Sequence, residues 1–281
     1  MTGPERRSLF LDAYGQEIHV SEWGQPDGPV LVMWHGLART GRDFDTAARY
    51  FSDRYRVLCP DTLGRGLSGW SAMPDRDYTL ECYGDHAMAI LDQLGVDHCH
   101  WLGTSMGGLL GMALAAGKMK RRISRLVIND IGPRPNPAAV TRIRAYVTAR
   151  PSFANMRDFE TFLRQIYLPF GLLSDAEWRD MAETSARRRD DGRITVHYDP
   201  EIMRVFADQS DNLHYWPEWD GIDCPTLVLR GENSDVLLPE VAEEMTRRGP
   251  GAQLVTVPGC GHAPYLNVAG QLRAVEAFLT E

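Results

Sequence analysis

Leu102-Gly103-Thr104-Ser105-Met106-Gly107-Gly108 is the stretch that decides how this chain reads. Trp101-Leu102 closes a strand-like run, and Leu109 to Ala116 opens an apolar, helix-like one, so Gly-x-Ser-x-Gly stands at a sharp turn between strand and helix. A serine at such a turn has a strained backbone that only small neighbours permit. Gly103 and Gly107 let the two arms come close. The Ser105 hydroxyl then projects past the strand end, which makes it the first candidate nucleophile. Five residues also fit a plain turn with a capping serine. What separates the two readings is company: a base, an acid to orient it, and donors for a developing oxyanion.

The donors are expected from Val30 to Trp34, a continuous apolar run that reads as a buried parallel strand and stops at His35-Gly36-Leu37. There the backbone N–H groups of Leu37 and Met106 would face one oxygen. His35 itself is expected to fix its loop by hydrogen bonding. The base is expected at His262. Gln253 to Val257 alternates as a strand, and Pro258-Gly259-Cys260-Gly261-His262 follows it as a loop of small residues, poorly placed for core packing. A free imidazole has a pKa near ~6.5 and can take a serine proton at neutral pH. His98 and His100 bracket Cys99, but they lack a second ligand cluster and read as strand packing, not metal ligands.

The acid has three candidates. Thr226 to Arg230 reads as a buried strand, and Asp235 lies on the loop after it, 27 positions (262 − 235) before His262. Asp130, directly after the strand-like Leu126 to Asn129, is the alternative acid, and Glu232 is a third option. A buried carboxylate bonded to the imidazole would hold its tautomer and stabilise the imidazolium.

With these residues in place, the chain resembles the α/β-hydrolase superfamily, serine esterase-like and with a helical cap, along nearly its whole length. Ser105, Asp235 and His262 follow that family's order of nucleophile, acid and histidine. His35-Gly36 resembles its oxyanion loop, Asp61 to Ser68 the loop after its fourth strand, and Pro258 to His262 its histidine loop. There is one departure. The family's acid often lies three residues after the strand-end glycine, and Asp235 lies four after Gly231, which keeps Asp130 open. Gly64-Arg65-Gly66-Leu67-Ser68-Gly69 matches the dinucleotide pattern, but no helix opens at it. It is read as a loop passing close to the site.

The 281 residues suit one domain with an insertion. Eight strand-like runs alternate with helix-like segments, which implies a mostly parallel, eight-stranded α/β sheet with ligands beyond the strands' carboxyl ends. Tyr14-Gly15-Gln16-Glu17 reads as a hairpin turn. Between Asn129 and Thr226 lies a long interruption bounded by prolines, with helices expected over 138–149, 157–167 and 175–185, the last capped by Ser174. Residues 1–131 and 222–281 are therefore expected to form the core and 132–221 a helical cap that excludes water. The cap's aromatic residues mostly pack it onto the core, with some lining an apolar cavity, and Arg187 to Asp191 reads as a solvated loop.

A net charge of −8 argues against nucleic acid and anionic membranes as partners. The longest apolar run, Gly107 to Ala116, is too short for membrane insertion, and Met1 to Arg7 lacks an apolar signal core. Five scattered cysteines read as buried small hydrophobes in a reducing, cytoplasmic setting. The expected partner is a small apolar acyl substrate. No metal or cofactor is called for, and a homo-oligomer stays open. The function expected is hydrolysis of carboxylic esters through an acyl-enzyme. Carbon–carbon (diketone) hydrolase, lactonase and non-catalytic ligand receptor are the alternatives.

Overall fold

Val30 to Trp34 has no polar side chain, so it can be a strand only where both its faces are covered. The computed structural model puts it at the centre of a sheet, buried at every position. The structure describes residues 6–206 and 213–281, so most of the N-terminal stretch weighed above lies outside the described residues.

The chain opens with a hairpin, β1 (Arg7–Ala13) and β2 (Gln16–Trp23), joined at Tyr14-Gly15. Both turn residues have positive φ, 58° and 80°, the twist that matches two right-handed strands. Then follow β3 (Val30–Trp34), α1 (Asp45–Phe51), β4 (Arg56–Pro60), α2 (Pro74–Asp77) and α3 (Leu80–Gln93), the last capped by Thr79. β5 (Cys99–Thr104), α4 (Met106–Ala116) and β6 (Ile123–Asn129) complete the first part of the core.

Eight strands form one sheet in the order β1-β2-β4-β3-β5-β6, continued by β9 (Thr226–Gly231) and β10 (Gln253–Val257). β2 runs antiparallel to both neighbours and the remaining pairs are parallel. Period-two alternation divides the strand residues between two cores. Val30, Val32 and Trp34 meet α3 and α4 on one face, while Leu31 and Met33 meet α1 and α10 (Ala269–Thr280) on the other. α9 (Pro239–Met245) packs on the α4 face.

Between β6 and β9 the chain forms α5 (Pro137–Val147), α6 (Met156–Ile166), α7 (Asp175–Ser185), the antiparallel ribbon β7 (Ala186–Arg188) and β8 (Ile194–Val196), and α8 (Trp216–Asp220). Helix α7 starts where expected. Ser174 and Glu177 form a capping box that satisfies two otherwise orphaned N–H groups. The run Arg187 to Asp191 is exposed, as expected of a solvated segment, but the ribbon corrects its reading as loop. Arg187 and Arg188 lie in a strand, Arg187 stacks 4.2 Å over Trp70, and only the turn at Arg189 to Gly192 is loop. Among the described residues no helix is long and apolar enough to cross a membrane.

Candidate active site

The carboxyl ends of β3, β5, β6, β9 and β10 gather the candidate residues. Ser105 directly follows β5 with φ 52° and ψ −116°, a conformation that L residues avoid. The glycines make this turn possible. A Cβ on Gly103 would lie 2.1 Å from the Gly107 carbonyl oxygen, and one on Gly107 would lie 2.1 Å from that of Trp34. Strand, turn and helix therefore close at backbone contact. The turn is pinned to the next strand by Ser105 N–H donating to the Asn129 carbonyl at 2.9 Å.

His262 reaches Ser105 from the loop after β10, with its Nε2 2.9 Å from Ser105 Oγ. Its Nδ1 lies 2.8 Å from Oδ2 of Asp130, not of Asp235. Asp130 follows β6 directly and is wholly buried. Its carboxylate also accepts from the Gly231 N–H at 2.7 Å and from the Ser234 hydroxyl at 2.6 Å. Every contact of this buried charge is thus a donor aimed at it, as a desolvated carboxylate requires.

The expected pairing of Asp235 with His262 is not what the structure places there. The Asp235 side chain is 48% exposed and makes a bidentate pair with Arg142 of α5, with the shortest contact 2.7 Å. The loop turns inward at Ser234 and outward at the next residue, so Asp235 faces α5 while the position three after Gly231 faces His262's partner. Glu232 also lies elsewhere, accepting from the Gly259 N–H at 3.0 Å.

The loop after β3 is held from two sides. Thr62 N–H donates to His35 Nε2 at 2.9 Å, and His35 Nδ1 lies 2.6 Å from the Gly36 carbonyl. Burial pushes the His35 pKa down to about 4, so the ring stays neutral and can donate at one nitrogen while accepting at the other. Arg65 donates from Nε to the Leu37 carbonyl at 2.9 Å and from Nη1 to Tyr83. Arg65 belongs to the Gly-rich loop, whose glycines wrap a buried carboxylate: a Cβ on Gly66 would lie 2.3 Å from Asp61 Oδ2. Burial opposes ionisation of Asp61, but the His19 ring and the Leu67 N–H outweigh it and hold its pKa below the usual carboxylate range. That loop therefore buttresses the Leu37 turn. The N–H groups of Leu37 and Met106 have no acceptor among the described residues.

Two cavities meet at Ser105. One is lined by Arg39, Tyr146, Tyr167, Phe170, His262 and Tyr265, the other by Met106, Leu109, Ile131, Val140, Met203 and Val236. Burial raises the pKa of all three tyrosines, so they remain neutral hydroxyls. Arg39 is 5% exposed. It makes a bidentate pair with Asp43 at 2.6 and 2.8 Å, donates to Ser185 Oγ at 2.9 Å and stacks 4.7 Å from the Tyr167 ring. The sequence reading passed over Arg39, Arg65 and Ser234. Arg39 and Arg65 lie on loops directly after strand ends, and that placement was the available signal.

The family described as "Alpha/beta hydrolase family" matches residues 31–275. A 3-hydroxybutyrate-oligomer hydrolase from Cupriavidus necator is 38% identical over 269 residues, 92% of this chain and 91% of that protein. A 2-hydroxymuconate semialdehyde hydrolase from Pseudomonas putida is 28% identical, over 98% of this chain and 94% of its own. Among solved structures, an alpha/beta hydrolase from Novosphingobium aromaticivorans superposes with a TM-score of 0.86 at 33% identity, covering 100% of this chain and 99% of that one. With the sheet order and the strand–Ser105–helix turn already in view, these likenesses show that the chain belongs to the alpha/beta hydrolase family and that hydrolysis is its class of chemistry.

Proposed function

We propose that this protein hydrolyses carboxylic esters through an acyl-enzyme formed on Ser105. The observation that carries the reading is the unbroken chain from Ser105 Oγ to His262 to buried Asp130, with contacts of 2.9 and 2.8 Å. In this mechanism His262 Nε2 takes the Ser105 proton as the oxygen attacks the ester carbonyl carbon. Asp130 fixes Nδ1–H as the other proton and stabilises the imidazolium. The N–H groups of Leu37 and Met106 receive the oxyanion, and losing one such donor typically costs about 3–4 kcal/mol of barrier. The tetrahedral species collapses as His262 protonates the departing alcohol. Water then attacks the acyl-serine, with His262 again as base.

Residues 132–221 serve as the cap in this reading, since Tyr146, Tyr167 and Phe170 come from them and line the cavity at Ser105. An ester is favoured over a diketone by the relative from Cupriavidus necator, whose name specifies a hydroxybutyrate oligomer, an ester-linked chain. The test is turnover of p-nitrophenyl butyrate. Ser105→Ala is expected to lose at least about 10³-fold in kcat while keeping the circular dichroism spectrum and Tm of the parent. Near-parental turnover by a folded Ser105→Ala protein sinks the assignment.

A further inference from the structure

The two cavities at Ser105 differ in chemistry, and only one of them contains the proton donor. His262 lines the cavity that holds Arg39 and the three tyrosines. The other cavity is lined by Ser105, Met106 and apolar side chains, without His262 among its described residues. In the collapse of an ester's tetrahedral intermediate the departing oxygen must take its proton from the general acid, which puts that oxygen on the imidazole's side. Orientation follows from this. The alcohol half of the ester lies in the Arg39 cavity and the acyl chain lies in the apolar one.

Size and donor count then narrow each half. The apolar cavity measures about 40 Å³ and the Arg39 cavity about 60 Å³. By the measure in which one water needs about 10–15 Å³, each accepts a short chain of a few heavy atoms. A guanidinium carries five N–H donors. Asp43 and Ser185 take three of those on Arg39, at 2.8, 2.6 and 2.9 Å, and the Tyr167 hydroxyl accepts a fourth, which leaves one terminal N–H. A donor on a guanidinium this deeply buried is satisfied by an acceptor oxygen on the occupant, and an occupant without one leaves it desolvated and unpaired.

Resting on the ester-hydrolase reading, we propose that the preferred substrate joins a short apolar acyl chain to an alcohol that itself carries a carbonyl or carboxylate oxygen, with Arg39 and its tyrosines as the receiving site. Ester bond cleavage is unchanged in its balance: water supplies hydroxyl to the acyl carbon and a proton to the alcohol.

The experiment compares butyrate esters of three alcohols with the full chain: 3-hydroxybutyric acid, its methyl ester, and 2-pentanol, a secondary alcohol of the acid's chain length without those oxygens. Both oxygen-bearing alcohols are expected to exceed the 2-pentyl ester at least about 10-fold in kcat/KM. Their ratio to each other reads whether Arg39, already paired with Asp43, prefers the anion or the neutral carbonyl. A 2-pentyl ester cleaved as well as either overturns the proposal. In the double variant Arg39→Gln/Asp43→Asn, which removes both charges so that no buried ion is left alone, the preference is expected to fall below about threefold. A folded double variant that keeps the full preference also overturns it, and if the variant does not fold, the three-ester series decides. Reversing polarity in the acyl half checks orientation: a mono-glutarate ester should react at least about 100-fold more slowly than the butyrate, and equal rates overturn the assignment of the apolar cavity. Turnover of p-nitrophenyl butyrate without any alcohol preference would defeat this proposal alone, whereas absence of any ester turnover would defeat the ester reading with it.

Discussion

The ends of β6 and β9 lie side by side in the sheet, and each delivers an aspartate within a few residues of the strand. They are used in opposite ways. Asp130 at the β6 end is wholly buried, with three donors on its carboxylate. Asp235 beyond β9 is half exposed and tied to Arg142. The difference lies in Ser234, which stands three residues after Gly231, where the family pattern often carries its acid. Here that position holds a hydroxyl that donates to Asp130 at 2.6 Å. Two adjacent strand ends thus supply one carboxylate and one of the donors that hold it. What matters to His262 is where a negative oxygen ends up in space, not which strand the residue follows.

The largest expected effect comes from breaking the β6 side. Asp130→Asn keeps the shape but offers an amide where Nδ1–H needs an acceptor, and it favours the wrong imidazole tautomer. By analogy with amide substitution in other triads, kcat should drop about 10³–10⁴-fold, read with p-nitrophenyl butyrate beside a Tm showing that the fold is retained. A loss under tenfold would remove Asp130 from the mechanism. Moving the charge across sharpens the same comparison. In Asp130→Asn/Ser234→Asp the carboxylate is handed to the β9 loop, and turnover should recover at least about tenfold over the single variant. No recovery would mean that the carboxylate must come from β6, beyond what a negative oxygen beside the ring supplies.

Much of this was legible in the chain. Strands built on continuous apolar runs, such as Val30 to Trp34 in β3 and Leu227 to Leu229 in β9, and a helix bounded by Ser105 and Gly117 have boundaries that hydrophobic pattern and glycine chemistry dictate locally. The same holds for α7, where Ser174 and Glu177 announce the first turn. Short elements were not legible. α2 and α8 span one turn each, too few residues for periodicity, and each carries a proline (Pro74, Pro217) in the first turn, where proline is favoured. The β7–β8 ribbon has three residues per strand. The meeting of Ser105 with His262 could be read from motif order. The choice between Asp130 and Asp235 could not, because it depends on β6 and β9 being neighbours and on which way one loop residue faces, and both are tertiary facts.

The smallest expected effect is the most discriminating against the motif-order reading. Asp235→Asn removes a carboxylate paired with Arg142, but the two side chains are 48% and 43% exposed. Exposed pairs contribute about 0–1 kcal/mol after solvent screening and ordering of both side chains. The loop is also held through its backbone, by Asn136 Nδ2–H donating to the Asp235 carbonyl at 2.9 Å and Asn136 N–H to that of Val236 at 3.1 Å, and neither bond needs the carboxylate. Turnover should therefore change less than about threefold, and Tm by no more than about 2–4 °C. Both should approach the parent further at high salt, where the pair is screened in the parent too. A 100-fold loss of kcat at unchanged Tm would return Asp235 to the acid's role. It would also require the β9 loop to turn over during catalysis, carrying Ser234 away from Asp130.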